Sequence, residues 1–91
     1  GEIAVDGELR TARPHIFAIG DVTGRMLLAH LASFQGVQAG RLAVGQSSRE
    51  VPYHAIPWST FTSPEIASVG MNETMAESQG RNCRTAVVPR R

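Results

Sequence analysis

His15-Ile16-Phe17-Ala18-Ile19-Gly20-Asp21 is a short apolar run that ends in one glycine and one carboxylate, and eight residues further on Ala29-His30 opens a long helical pattern. The order strand, Gly-Asp corner, loop, helix decides how the first half of the chain is read. Glycine lets a ligand approach the backbone closely. A carboxylate at the C-terminal end of a strand lies where open α/β sheets hold their ligands, and it accepts hydrogen bonds from sugar-type hydroxyls. The free N–H groups of a helix start suit a ring or oxyanion that carries negative charge. Together these features describe one side of a nucleotide-cofactor site.

Outward from this corner, residues 28–43 take helical periodicity. Ala29, Ser33, Gly36, Gly40 and Ala43 follow one another at spacings of four, three, four and three, so a face made wholly of small residues is expected. A glycine inside a helix costs about 1 kcal/mol relative to alanine. Close packing against a neighbour is therefore the expectation for Gly36 and Gly40, with Leu31 and Phe34 directed elsewhere. Before the corner, Asp6-Gly7 stands between Ile3-Ala4-Val5 and Glu8-Leu9-Arg10-Thr11 and predicts a hairpin with a two-residue turn. Gly24, in the loop after Asp21, is free to take positive φ.

Gly45 to Pro52 is a polar connector and the candidate domain boundary. Beyond it, Trp58–Thr62 and Ile66–Val69 read as strands around a Ser63-Pro64 turn. Asn72 caps a helix that runs to about Gln79 and stops at Gly80, and a further strand is expected over Arg84–Val88. Strand, strand, helix, strand is the opening of an α+β layer.

Composition narrows the classes. The chain has 91 residues and opens at Gly1, below the usual domain size, and reads as a piece of something longer. Its net charge is +1 and its nine basic residues, all arginine, are scattered, which argues against a nucleic-acid surface. Cys83 is the single cysteine, so an internal disulfide or a cysteine metal cluster is excluded. No apolar stretch is long enough to span a bilayer, and a cytosolic compartment with no membrane partner is expected.

Thr11 to Gly24, with its Gly20-Asp21 corner, resembles the second FAD-binding motif of the pyridine nucleotide-disulfide oxidoreductases. Phe61-Thr62-Ser63-Pro64-Glu65-Ile66-Ala67-Ser68-Val69-Gly70 is similar to the entry of that family's C-terminal dimerisation domain. The resemblance covers nearly the whole chain and fades after Gly80. It implies an α/β, Rossmann-like portion of the FAD domain over residues 1–45, a linker over 46–54 and the start of an α+β dimerisation domain over 55–91. Leu28-Ala29-His30 and Pro64 to Gly70 are similar to the dihydrolipoamide dehydrogenase branch, with mercuric reductases and other disulfide reductases as alternatives.

What the resemblance implies can be placed residue by residue. Asp21 would accept a hydrogen bond from a ribityl hydroxyl of FAD, Gly20 would let the cofactor approach, and Leu28-Ala29 would turn the Ala29 N–H toward the flavin pyrimidine edge. The parent enzyme would pass electrons between NAD or NADP and a dithiol or disulfide substrate, with a lipoyl domain as one candidate partner, and would act as a homodimer. The redox cysteine pair and the catalytic base of the family are absent from this stretch, so no catalytic residue is assigned here. A plainer alternative treats Asp21 as a loop cap and the chain as a non-catalytic assembly module. His15, His30 and His54 read as packing or surface residues, Trp58 and Phe61 as core or subunit-interface residues, and Cys83 as a small buried hydrophobe.

Overall fold

The computed structural model describes residues 1–89 and orders the elements as a 3-10 turn Gly20–Thr23, helix α1 Ala29–Ala43, a 3-10 turn Tyr53–Ala55, strands β1 Trp58–Thr60 and β2 Ile66–Ser68, and helix α2 Glu73–Ser78. Two compact units divide the chain, the first over Gly1–Tyr53 and the second from His54 onward.

In the first unit the N-terminal turn is a three-residue loop, which corrects the two-residue expectation at Asp6-Gly7. Asp6 and Arg10 close it: the Asp6 N–H donates to Arg10 O at 3.0 Å and the Leu9 N–H to Asp6 O at 3.1 Å. Asp6 Oδ1 also accepts from the N–H groups of Glu8 and Arg10, at 2.8 and 3.0 Å. This side-chain capping sets a turn whose last residue must be left-handed. That residue is Leu9, with φ 63, and not the glycine. Leu9 is 2% exposed, so burial of its side chain offsets a backbone strain of about 1–2 kcal/mol.

The extended run His15–Ile19 does not become a strand among the described residues. Only Phe17 bridges, antiparallel to Arg10, with flanking bonds from Thr11 N to Ile16 O at 2.9 Å and from Ala18 N to Leu9 O at 3.1 Å. A ladder needs a continuous partner on at least one side, and this run has a partner over only three residues. The same reasoning covers residues 84–88, which form no strand and leave Val87 and Val88 exposed. Cys83, just before them, is exposed as well, which corrects the expectation of a buried hydrophobe there.

Helix α1 runs for 15 residues, and its buried side chains are Leu31, Gln35 and Gln38. The small-residue face is therefore not the one that packs within this chain: Ala29, Ser33, Gly40 and Ala43 are exposed. Gly36 meets the expectation, since a Cβ there would stand 3.3 Å from Ile19 Cδ1, whereas nothing lies within 4 Å of one at Gly40. Leu31, at 1% exposure, supplies about 1.5–3 kcal/mol of apolar burial.

In the second unit β1 and β2 pair antiparallel with Trp58 opposite Ser68, Ser59 opposite Ala67 and Thr60 opposite Ile66. Both strands are shorter than expected and exposed on both faces. Asn72 caps α2, its Oδ1 accepting from the Met75 N–H at 2.8 Å. The helix ends in a Schellman motif: Gly80, at φ 68, donates to Glu77 O and Arg81 to Ala76 O, both at 2.9 Å. Ala76 is the buried apolar residue of this unit among the described residues.

Candidate functional site: the Gly20–Asp21 corner

The corner is built where the extended run Ile16–Ile19 stops. Ile19 is still extended (φ −136, ψ 162), and the chain then turns at Gly20 with φ 72. That conformation belongs to glycine. A side chain would be unwelcome for a second reason, because a Cβ on Gly20 would stand 3.3 Å from Ala32 Cβ on α1. Gly20 is buried beneath the helix.

Several backbone groups of the turn are tied. The Gly20 N–H donates to Gln35 Oε1 at 2.7 Å, and Gly20 O accepts from Thr23 Oγ1 at 2.8 Å. Asp21 O accepts from the Gly24 N–H at 3.0 Å, with Gly24 left-handed at φ 67. The Glu2 side chain occupies the space where a Cβ on Gly24 would be, and Ile3 N donates to Val22 O at 2.8 Å. The N-terminal segment thus closes the far side of the turn.

The Asp21 side chain itself is exposed and its carboxylate makes no hydrogen bond among the described residues. A loop-capping carboxylate would be spent on nearby backbone N–H groups, as that of Asp6 is. Asp21 is not spent in this way. Helix α1 begins at Ala29 after Leu28, whose backbone is extended (φ −132, ψ 124), and no side chain caps it. Its first turn carries no acidic residue, so no carboxylate of that turn offsets the positive end of the helix dipole. The structure therefore packs Gly20 directly on α1, leaves the Asp21 carboxylate without a hydrogen bond among the described residues, and starts α1 after a leucine whose side chain cannot cap it.

Three further residues contribute that the sequence pattern does not single out. Gln35 and Gln38 sit on the buried face, 1% and 5% exposed. Gln35 Nε2 donates to the Tyr53 hydroxyl at 3.2 Å, and Gln38 Oε1 accepts from the Arg49 N–H at 2.7 Å. Tyr53 also lies under the Arg25 guanidinium, 4.9 Å from its ring centroid. The spacing Leu31, Gln35, Gln38, Leu42 was the available signal, because it marks one helix face with amides in its middle. No group of three or more His, Cys, Asp or Glu able to hold a metal occurs among the described residues, and no helix there is long and apolar enough to cross a membrane.

Residues 1–36 match the family model of the pyridine nucleotide-disulphide oxidoreductases, and residues 56–91 match the dimerisation domain of the same family. The chain belongs to that family. Among curated relatives, a dihydrolipoyl dehydrogenase of Chlamydia muridarum is 49% identical over 80 residues, which is 88% of this chain. A dihydrolipoyl dehydrogenase of Synechocystis is 51% identical over 67 residues, 74% of the chain. A mercuric reductase of Bacillus cereus is 38% identical over 89 residues, 98% of the chain. The chain spans 17%, 14% and 14% of the lengths of these three oxidoreductase relatives.

Proposed function

We propose that this chain is the cofactor corner and the first dimerisation segment of an FAD-dependent oxidoreductase that passes electrons between NAD or NADP and a dithiol or disulfide. Dihydrolipoamide is the preferred substrate, carried on a lipoyl domain. The observation that carries the reading is the Asp21 carboxylate, exposed and unspent beside a buried left-handed glycine. The site fits the cofactor by its donor set. Asp21 would accept from a ribityl hydroxyl, in the stronger, charge-assisted kind of hydrogen bond. Gly20 would admit the cofactor close to the backbone, and Leu28 would lead the chain into the uncapped α1 start. There the Ala29 N–H would favour negative charge on the pyrimidine edge. When bound, FAD supplies a two-electron carrier between the hydride donor and the disulfide.

The remaining steps are limited by what this chain holds. A dithiol–disulfide exchange needs two thiols, and Cys83 is the only cysteine, so the chain does not carry the redox pair. Its part is binding and assembly: a portion of a Rossmann-like FAD domain, then the opening of a sheet through which two subunits form a homodimer, in the cytoplasm. The lipoamide substrate is preferred over mercuric ion because Leu28-Ala29-His30 resembles the lipoamide branch and the dihydrolipoyl dehydrogenase relatives share 49% and 51% identity against 38%. The test is flavin occupancy in the full-length flavoprotein containing this chain. Asp21→Ala should lose bound FAD while keeping its fold, and equal occupancy would remove the assignment.

A further inference from the structure

We propose that Gln35 is the positioning residue of the cofactor corner, holding the Gly20 peptide in the one orientation that presents Asp21; this rests on the FAD reading above. The 3-10 turn Gly20–Thr23 has no side-chain cap of its own, because Ile19 occupies the cap position. Gln35 does that work from α1, across 15 residues of sequence, through Oε1 at 2.7 Å from the Gly20 N–H. The amide orientation follows from chemistry: a backbone N–H only donates, so the oxygen must face it. The nitrogen then faces Tyr53, whose hydroxyl must accept at 3.2 Å.

Burial argues that the hydrogen bonds, and not packing, dictate the residue type. The position shares a face with Leu31, and a leucine would fill it. An amide at 1% exposure is tolerated only because both its ends are partnered. Its rotamer is held from the far side as well. The Tyr53 N–H donates to Val51 O at 2.9 Å, Val51 is 5% exposed, and Arg25 stacks on the Tyr53 ring. The segment that follows α1 thereby sets the Gln35 amide, and the Gln35 amide sets the corner. Gly20 has no side chain to resist rotation of its peptide, so losing this acceptor frees the backbone adjoining Asp21.

The test uses the full-length flavoprotein, with FAD dissociation constants and apoprotein melting temperatures measured for Gln35→Met, Gln35→Glu, Tyr53→Phe and Asp21→Ala. Gln35→Met, which removes the acceptor at similar volume, should weaken FAD about tenfold, and Tyr53→Phe about threefold. Gln35→Glu keeps an acceptor opposite Gly20 and should recover most of the affinity. Hydrogen exchange at the Gly20 amide should quicken in Gln35→Met and stay slow in Gln35→Glu. A purely structural role would lower the melting temperature without this rescue pattern. Wild-type FAD affinity in Gln35→Met beside a loss in Asp21→Ala overturns the positioning role and leaves the cofactor reading standing. Equal losses in the Met and Glu variants also overturn it. Wild-type affinity in Asp21→Ala removes the cofactor reading and this inference together. Should Gln35→Met not fold, Tyr53→Phe carries the comparison, and an unchanged affinity there overturns the proposal.

Discussion

Gly20 lies directly beneath Ala32: a Cβ added to the glycine would stand 3.3 Å from the alanine Cβ, on a backbone with φ 72. Two constraints thus meet at one residue, a conformation that L side chains avoid and a helix that leaves no room. The corner and α1 are fixed to each other by this contact and by the Gln35 bond above it. Gly20→Ala should therefore destabilise the protein by about 1–3 kcal/mol. A urea midpoint unchanged from wild type would show that the turn can relax to another shape.

Asp21→Ala should behave oppositely. The carboxylate is exposed and makes no hydrogen bond among the described residues, so removing it should leave stability within about 0.5 kcal/mol of wild type. FAD occupancy should fall, by a factor corresponding to about 1.5–3 kcal/mol for a charged acceptor. Absorbance of the purified full-length protein reads the occupancy, and its melting curve reads the fold. A large drop in melting temperature of the apoprotein would instead assign Asp21 a structural task.

Helix α1 offers a paired test with alanine. Gly40 has open space around a new Cβ, so Gly40→Ala should stabilise the 91-residue chain by about 0.5–1 kcal/mol through helix propensity alone. At Gly36 the new methyl would meet Ile19 Cδ1 at 3.3 Å, and part of that gain should be lost. Comparison of the two variants by denaturant titration is the measurement. A larger gain at Gly36 than at Gly40 would contradict the packing described here.

What the sequence disclosed follows from how local each signal is. Asn72 and Gly80 bracket α2 as read, because capping needs only the residues within one turn. The Gly20-Asp21 corner was legible for the same reason. At the N-terminal turn residue type misleads: Asp6-Gly7 signals a tight turn, but the Asp6 carboxylate and the burial of Leu9 put the left-handed position at the leucine. The strands expected over His15–Ile19 and Arg84–Val88 depend on partner strands, which no local pattern can supply. The burial of Gln35 and Gln38 is not legible in the pattern, because polarity marks a solvent face in most helices. Here the polar atoms satisfy the corner and the connector, while Ala29, Ser33, Gly40 and Ala43 face outward.

The α2 caps are themselves testable. Asn72→Ala removes the acceptor of the Met75 N–H and should cost the second unit about 1 kcal/mol. Amide hydrogen exchange over residues 73–79 should speed up accordingly, with exchange in α1 unaffected. Faster exchange throughout the chain would mean that the two units unfold as one.

The final prediction concerns what covers the second unit. Phe61 is 84% exposed, Val69 63% and Ile66 57%, while its buried apolar residue is Ala76 alone among the described residues. A two-stranded sheet with both faces exposed is marginal in water, so this unit requires further chain or a second subunit over it. The 91-residue chain by itself should bind an apolar fluorescent dye and self-associate, whereas the full-length flavoprotein should be a dimer that neither binds the dye nor associates further. The place to divide the protein is after Tyr53, because Arg49, Val51 and Tyr53 are held by Gln38, by burial and by Gln35. A flavoprotein ending there should be monomeric and inactive toward dithiols while keeping FAD. Light scattering and flavin absorbance decide both points, and a full-length monomer active on dithiols would overturn the dimer assignment.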